Sequence, residues 1–286
     1  MLHVGVLALG AWFMMTAVWW LSHITARYYR CLRRNTEFRT SVTFTWCTRC
    51  KVQPLEGLVK VSVGVVLTLV EFTQDRGYPG DAAFLSRTEL GTLSSFLVMW
   101  GLMDMLAHWG PPALCVYLDF AGLLLFYTAL GAVQGARAFL TEQPVSSLHS
   151  LSLYVAVGSM VVTVVEGLHP YNVLCPVARS YLLLLQGSWW LHAAVLTDSS
   201  SHLGGASVEG RRDTMLLFTM IFVGHAAVNV TMVVCLWLLV GKLVERSCCG
   251  RCLDADSTPS DGVFLENRVR FNYHVLSRFD SETDEQ

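Results

Sequence analysis

The chain has 286 residues, of which 53% are hydrophobic and 15% charged, with a formal net charge of −2 and a mean hydropathy of +0.46. Soluble domains carry about 25% charged residues, and here the apolar residues come in long blocks, which excludes an ordinary soluble domain and points to a polytopic membrane protein. The near-neutral charge supplies no global basic field for nucleic acid.

Seven segments are long enough to cross a hydrocarbon core roughly 30 Å thick, which takes about 20 helical residues. They run Val4–Leu21, Leu55–Phe72, Leu90–His108, Pro112–Val133, Leu151–Leu168, Val177–Leu196 and Thr214–Val240. Unsatisfied backbone groups are too costly in lipid, so each is expected as a helix. The fold class is therefore all-α, a polytopic bundle of seven transmembrane helices over residues 1–245, with 246–286 a cytosolic tail expected to be disordered. The first block has no basic stretch before it and arginines after it, which marks an uncleaved helix rather than a signal peptide.

Lysine and arginine placement sets the expected orientation. Arg27, Arg30, Arg33, Arg34, Arg39, Arg49 and Lys51 fall in the first loop; Lys242, Arg246, Arg251, Arg268, Arg270 and Arg278 follow the last helix. Seven crossings put these two regions on one side with Arg179, against Arg76, Arg87, Arg137, Arg211 and Arg212 opposite. The N-terminus is expected outside or in a lumen and the C-terminus in the cytosol.

This topology gives each intramembrane polar residue a depth. Lys60 and Asp104 lie near the cytosolic ends of the second and third helices, where they can pair; Glu56 competes for the same lysine, and snorkelling of Lys60 is the alternative. Glu166 and Arg179 share that side and read as a structural bridge. Asp119 is placed two turns into the fourth helix, Gln186 and Ser188 in mid-sixth, His225 and Asn229 in mid-seventh. The expectation is that His225 and Asn229 bond the Gln186 amide and that Gly187 admits a neighbouring backbone, so that Gln-Gly-Ser marks a packing seam. The competing reading makes Asp119, Gln186, His225 and Asn229 the lining of a permeation path or ligand site.

Asn229-Val-Thr231 fits the glycosylation pattern but lies mid-membrane and is discounted. There is no nucleophile elbow, P-loop, dinucleotide fingerprint or HExxH, and no histidine pair spaced i,i+4 on one helix. No enzyme, cofactor or metal centre is indicated. Cys47-Thr-Arg-Cys50 and Cys249-Gly-Arg-Cys252 fall on the expected cytosolic side, too far apart in sequence for ordinary zinc-ligand spacing. Cys248, Cys249 and Cys252 follow a membrane helix and basic residues, a setting for acylation, with unmodified thiols and zinc as alternatives. Tyr273-His-Val-Leu276 fits a tyrosine-based sorting signal, with Tyr273 and Leu276 presented to cytosolic adaptors; an unrecognised tail segment is the alternative.

Several segments resemble the transmembrane protein 45 family, which includes the transmembrane epididymal proteins. "RSYLLLLQGSWWLHAAVL" (Arg179–Leu196) carries the specific match, supported by "PLEGLVKV" from Pro54, "MWGLMDML" around Asp104, "IFVGHAAV" around His225, and Trp19-Trp20. The resemblance spans most of residues 4–245 but neither the tail nor the stretch from Arg137 to Ser147. It implies seven helices and no established enzymatic activity. Family members carry further intramembrane histidines where this chain has Val6, Glu89 or Leu90, and Ala129, while His149 and His225 match, so this is a divergent member. The function expected is structural or trafficking-related, within the lipid bilayer and without catalysis; a transporter or channel, or a small-ligand or metal binder, stands as the alternative. Oligomeric state is left open.

Overall fold

Seven helices carry the regular structure of the described residues: α1 (Val4–Arg34), α2 (Leu55–Thr73), α3 (Asp81–Trp109), α4 (Leu118–Leu140), α5 (Val145–Leu168), α6 (Leu174–Ser200) and α7 (Val208–Arg246). The computed structural model describes residues 4–44, 55–73, 81–109, 117–142, 145–200 and 208–246. The acylation candidates Cys248, Cys249 and Cys252, the sorting candidates Tyr273 and Leu276, and Cys47-Thr-Arg-Cys50 lie outside them.

The fold is an all-α membrane bundle. Five helices, α1, α3, α4, α5 and α7, are long and apolar enough to cross a membrane. The other two are diluted by polar residues: α2 holds Glu56, Lys60 and Glu71 in 19 residues, and α6 holds Arg179, Gln186, Ser188 and His192. Both place polar groups against their neighbours rather than outward, since Lys60, Glu71, Arg179, Gln186 and Ser188 are all buried.

Helices α1 to α6 pack in a ring, each against the next in sequence, and α1 closes the ring against α6. α7 lies outside, over the α1–α6 seam, and also touches α5. Its inward positions are a narrow stripe through Phe218, Phe222, His225, Asn229, Val233, Trp237 and Gly241, at helical period. The rest of its surface, including Leu216, Met220, Val223, Val228 and Leu239, is exposed and apolar, as a lipid-facing helix requires.

The ring is filled by aromatic side chains from four helices. Phe13 meets Phe126 at 5.8 Å and Trp190 at 5.7 Å between ring centroids; Trp100 meets Phe126 at 5.4 Å and Trp20 at 5.8 Å. Two backbone crossings bring the walls together. A Cβ on Gly187 would stand 2.6 Å from the Gly10 carbonyl oxygen, and one on Gly57 would stand 2.8 Å from that of Gly101. Only glycine permits these approaches. The seam expected at Gly187 is therefore present, with α1 as the partner.

The fourth helix differs from its sequence reading. It begins at Leu118 and continues to Leu140, rather than running from Pro112 to Val133. Asp119 therefore stands in its first turn, not two turns deep, and its carboxylate accepts from the Phe120 N–H at 3.0 Å. Hydropathy alone could not place this start, because the Pro112–Val116 run is as apolar as the helix that follows.

α1 ends in a Schellman arrangement. Asn35 adopts φ 52, and the N–H groups of Asn35 and Thr36 donate to the Leu32 and Cys31 carbonyls at 3.4 and 3.0 Å. Asn tolerates this left-handed conformation better than most residues. The reversal sends residues 36–44 back over the end of the ring as an extended strap. That end also bears Arg33, Arg34, Lys242 and Arg246 and is called the basic end below.

Candidate functional site

Two ion pairs sit beneath the strap at the basic end. Lys60 is wholly buried. Its ammonium lies 2.5 Å from Asp104 Oδ2 and 2.9 Å from Glu56 Oε1, and 3.9 Å from the centre of the Trp100 ring. Glu56 also accepts from Trp20 Nε1 and from the Phe44 N–H, both at 2.8 Å. The lysine is thus paired rather than snorkelling. The second pair is Arg179 with Glu166, at 3.0 Å and equally inaccessible. Arg179 stacks over the Trp20 ring at 4.4 Å, which places Trp20 beside both cations.

The strap is held by these same charges. Thr40 donates its hydroxyl to Glu166 and its N–H to the Pro170 carbonyl at 2.7 Å. Arg179 donates to the Ser41 carbonyl at 3.2 Å. Val42 is fully buried, and Phe38 packs on Tyr28. An extended segment without a sheet partner still needs its backbone groups satisfied, and the buried ions supply part of that need. The ion pairs therefore close this end of the ring.

Among the described residues the opposite end is open. A cavity of about 130 Å³ lies among α1 to α6, walled by Glu89, Gln134, Arg137, His149 and Ser152, with Trp189 and Trp190 among its apolar lining. Arg137 forms an ion pair with Glu89. His149 Nδ1 is 3.0 Å from the Gln134 side-chain oxygen. Trp189 Nε1 donates to the Leu148 carbonyl at 3.1 Å and Trp190 Nε1 to Ser152 Oγ at 2.8 Å. Behind Ser152, the Gln186 amide lies 2.5 Å from its hydroxyl. With the amide oxygen turned toward Ser152 it accepts from that hydroxyl and from Trp190 Nε1 at 2.7 Å, while its NH₂ donates to the Ser152 carbonyl at 3.2 Å. A polar wall thus runs from the rim inward until the aromatic layer of Phe13, Phe126 and Trp190 ends it.

The four pathway candidates do not meet. Asp119 is at the basic end, within electrostatic reach of Asp104 and Glu166. Gln186 is 1% exposed and bonds α5, not α7. His225 packs on His192 and Trp189, at 5.0 and 6.1 Å between centroids. Asn229 donates to Ser188 Oγ at 2.8 Å. The expected Gln186–Asn229 bond is absent for a geometric reason. Residues two apart on a helix point about 200° apart, so Gln186 faces α5 while Ser188 faces α7.

Sequence reading assigned Gln134, Arg137 and Ser152 to no site, and Glu89 and His149 entered it only through the family resemblance. Glu89 and Arg137 fall beyond the apolar windows, on helix ends that continue past them. Among the described residues no group of three or more His, Cys, Asp or Glu converges in a way that could hold a metal ion. No protein-family model matches the chain, and no curated protein matches it.

Proposed function

We propose that this chain is a non-enzymatic multi-pass membrane protein that binds a small amphiphilic molecule at its open end. The basic end faces the cytosol in this reading, because arginine and lysine accumulate there, so the cavity faces the exterior or a lumen. One observation carries the proposal: Gln134, His149 and Ser152 line, together with Trp189 and Trp190, a cavity of about 130 Å³, closed below by aromatic packing. That volume approaches the roughly 150 Å³ that takes one six-membered ring. A few placed polar groups over apolar and aromatic lining are what small-molecule sites generally present.

The resemblance to the transmembrane protein 45 family supports a seven-helix protein of this kind. Of the places where the resemblance marks family histidines, Val6, Glu89 or Leu90, and His149 line the cavity, while Ala129 and His225 do not. With one histidine remaining, this chain's wall suits hydrogen bonding to a neutral or zwitterionic ligand. Transport is the less supported reading, because Phe13, Trp100 and Phe126 and then two ion pairs fill the route to the other end.

The test is a thermal-shift panel of ring-sized amphiphiles on the purified chain, repeated on Ala193→Phe, which fills the cavity from α6. Compounds that stabilise the native chain and not the filled one support the reading. Identical profiles for the two proteins would overturn it, as would flux of a hit across proteoliposomes.

A further inference from the structure

The wall of the open-end cavity keeps two polar atoms in reserve once its internal hydrogen bonds are made. Trp189 and Trp190 commit their N–H groups to the Leu148 carbonyl and to Ser152 Oγ, and Ser152 also bonds Gln186. Glu89 and Arg137 pair with each other, and Glu71 is engaged elsewhere. There remain Gln134 and His149, which meet at 3.0 Å between the amide oxygen and Nδ1. Neither the Gln134 amide nitrogen nor His149 Nε2 has a hydrogen-bond partner among the described residues. Neither atom is sealed inside the bundle, and both side chains line the cavity.

The contact between these two residues sets the state of the imidazole. An amide oxygen only accepts, so with that oxygen facing the ring Nδ1 carries the proton. In the neutral ring Nε2 is then an acceptor. The cavity therefore presents one acceptor, His149 Nε2, and one donor group, the Gln134 NH₂. A hydroxyl gives one hydrogen bond and takes another, so it answers both. An ether oxygen only accepts and leaves Nε2 unmatched. The apolar lining, with Leu90, Leu93, Val133 and the two indole rings, suits an aromatic body, and a volume of about 130 Å³ holds little more than a single ring.

We propose that the open-end cavity is a site for a phenol, an aromatic ring whose hydroxyl donates to His149 Nε2 and accepts from the Gln134 amide. This rests on the reading of that cavity as a small-molecule site and names the chemical class it takes.

The test measures thermal stabilisation of the purified full chain against rising phenol, toluene and anisole, which share the ring and differ in the group it bears. Ala193→Phe, with the cavity filled, is the blank for partition of each compound into detergent. Phenol should bind about tenfold more tightly than either of the others, the difference between a matched acceptor and a stranded one. His149→Leu should bring phenol down to the level of toluene and leave toluene unchanged. Gln134→Leu, which releases the imidazole from its tautomer, should narrow the preference while toluene still binds. Anisole binding as well as phenol would overturn the proposal, by showing Nε2 to be the protonated nitrogen, and this comparison needs only the native chain. A phenol preference that survives His149→Leu would overturn it too. Equal binding of all three above the blank would remove this proposal and leave the cavity site standing, whereas no binding above the blank would remove both.

Discussion

Replacing Lys60 by methionine should be among the most destabilising changes in the bundle. The substitution keeps an unbranched side chain of similar length, so the loss is electrostatic. It leaves the buried Asp104 and the half-buried Glu56 without the ammonium that sits 2.5 and 2.9 Å from them. Breaking a buried pair from one side costs about 3–5 kcal/mol, because the surviving charge has no compensation. Loss of the contact with the Trp100 ring, at 3.9 Å, adds about 0.5–2 kcal/mol. Removing the partner as well relieves the penalty: in Lys60→Met/Asp104→Leu the remaining carboxylate, Glu56, keeps its bonds from Trp20 Nε1 and the Phe44 N–H. The double variant should therefore be more stable than the sum of its single changes by about 2 kcal/mol or more. Steric trapping in bilayers, which reads unfolding free energy under native conditions, measures each corner of the cycle. A coupling below about 0.5 kcal/mol, the range found for independent sites, would show that the two residues do not form the pair described.

Gly187→Leu should force α1 and α6 apart and cost more than about 3 kcal/mol, whereas Gly91→Ala, where a new Cβ meets nothing within 4 Å, should be neutral or slightly stabilising by helix propensity; thermal unfolding compares them. Gln186→Leu removes three hydrogen bonds and should cost about 1–2 kcal/mol, against about 0.6 kcal/mol for Asn229→Leu, which removes one; equal costs would contradict the separate partners given to these residues. Arg179→Met should free the strap as well as strand Glu166, so protease cleavage within residues 36–44 should rise several-fold.

The apolar runs announced the helices because each is close to the length a bilayer demands. The depth of polar residues was also legible where it depended only on the alternation of sides. Lys60 with Asp104 and Glu166 with Arg179 follow from which ends of α2, α3, α5 and α6 lie together. What could not be read was rotation about each helix axis. Gln186 and Ser188 are two residues apart and serve different neighbours, which no depth argument separates. The cavity escaped notice for another reason. Glu89 and Arg137 look like loop charges to a hydropathy window, yet α3 starts before Glu89 and α4 runs on to Leu140. Their mutual pairing, with His149 and Gln134 beside them, turns two helix ends into a wall. The strap was invisible as well, since its position depends on the left-handed Asn35 and on buried charges from three helices.

The most direct test of a ring open at one end and shut at the other is cysteine accessibility in a background without native cysteines. Ala193→Cys on the cavity wall should react with a membrane-impermeant thiol reagent added on the side opposite the basic end and stay unlabelled when the reagent is added at the basic end. Thr36→Cys on the strap should show the reverse, and Phe13→Cys in the aromatic layer should stay unlabelled from either side. Labelling of Ala193→Cys from both sides would reveal a continuous aqueous route and contradict the account.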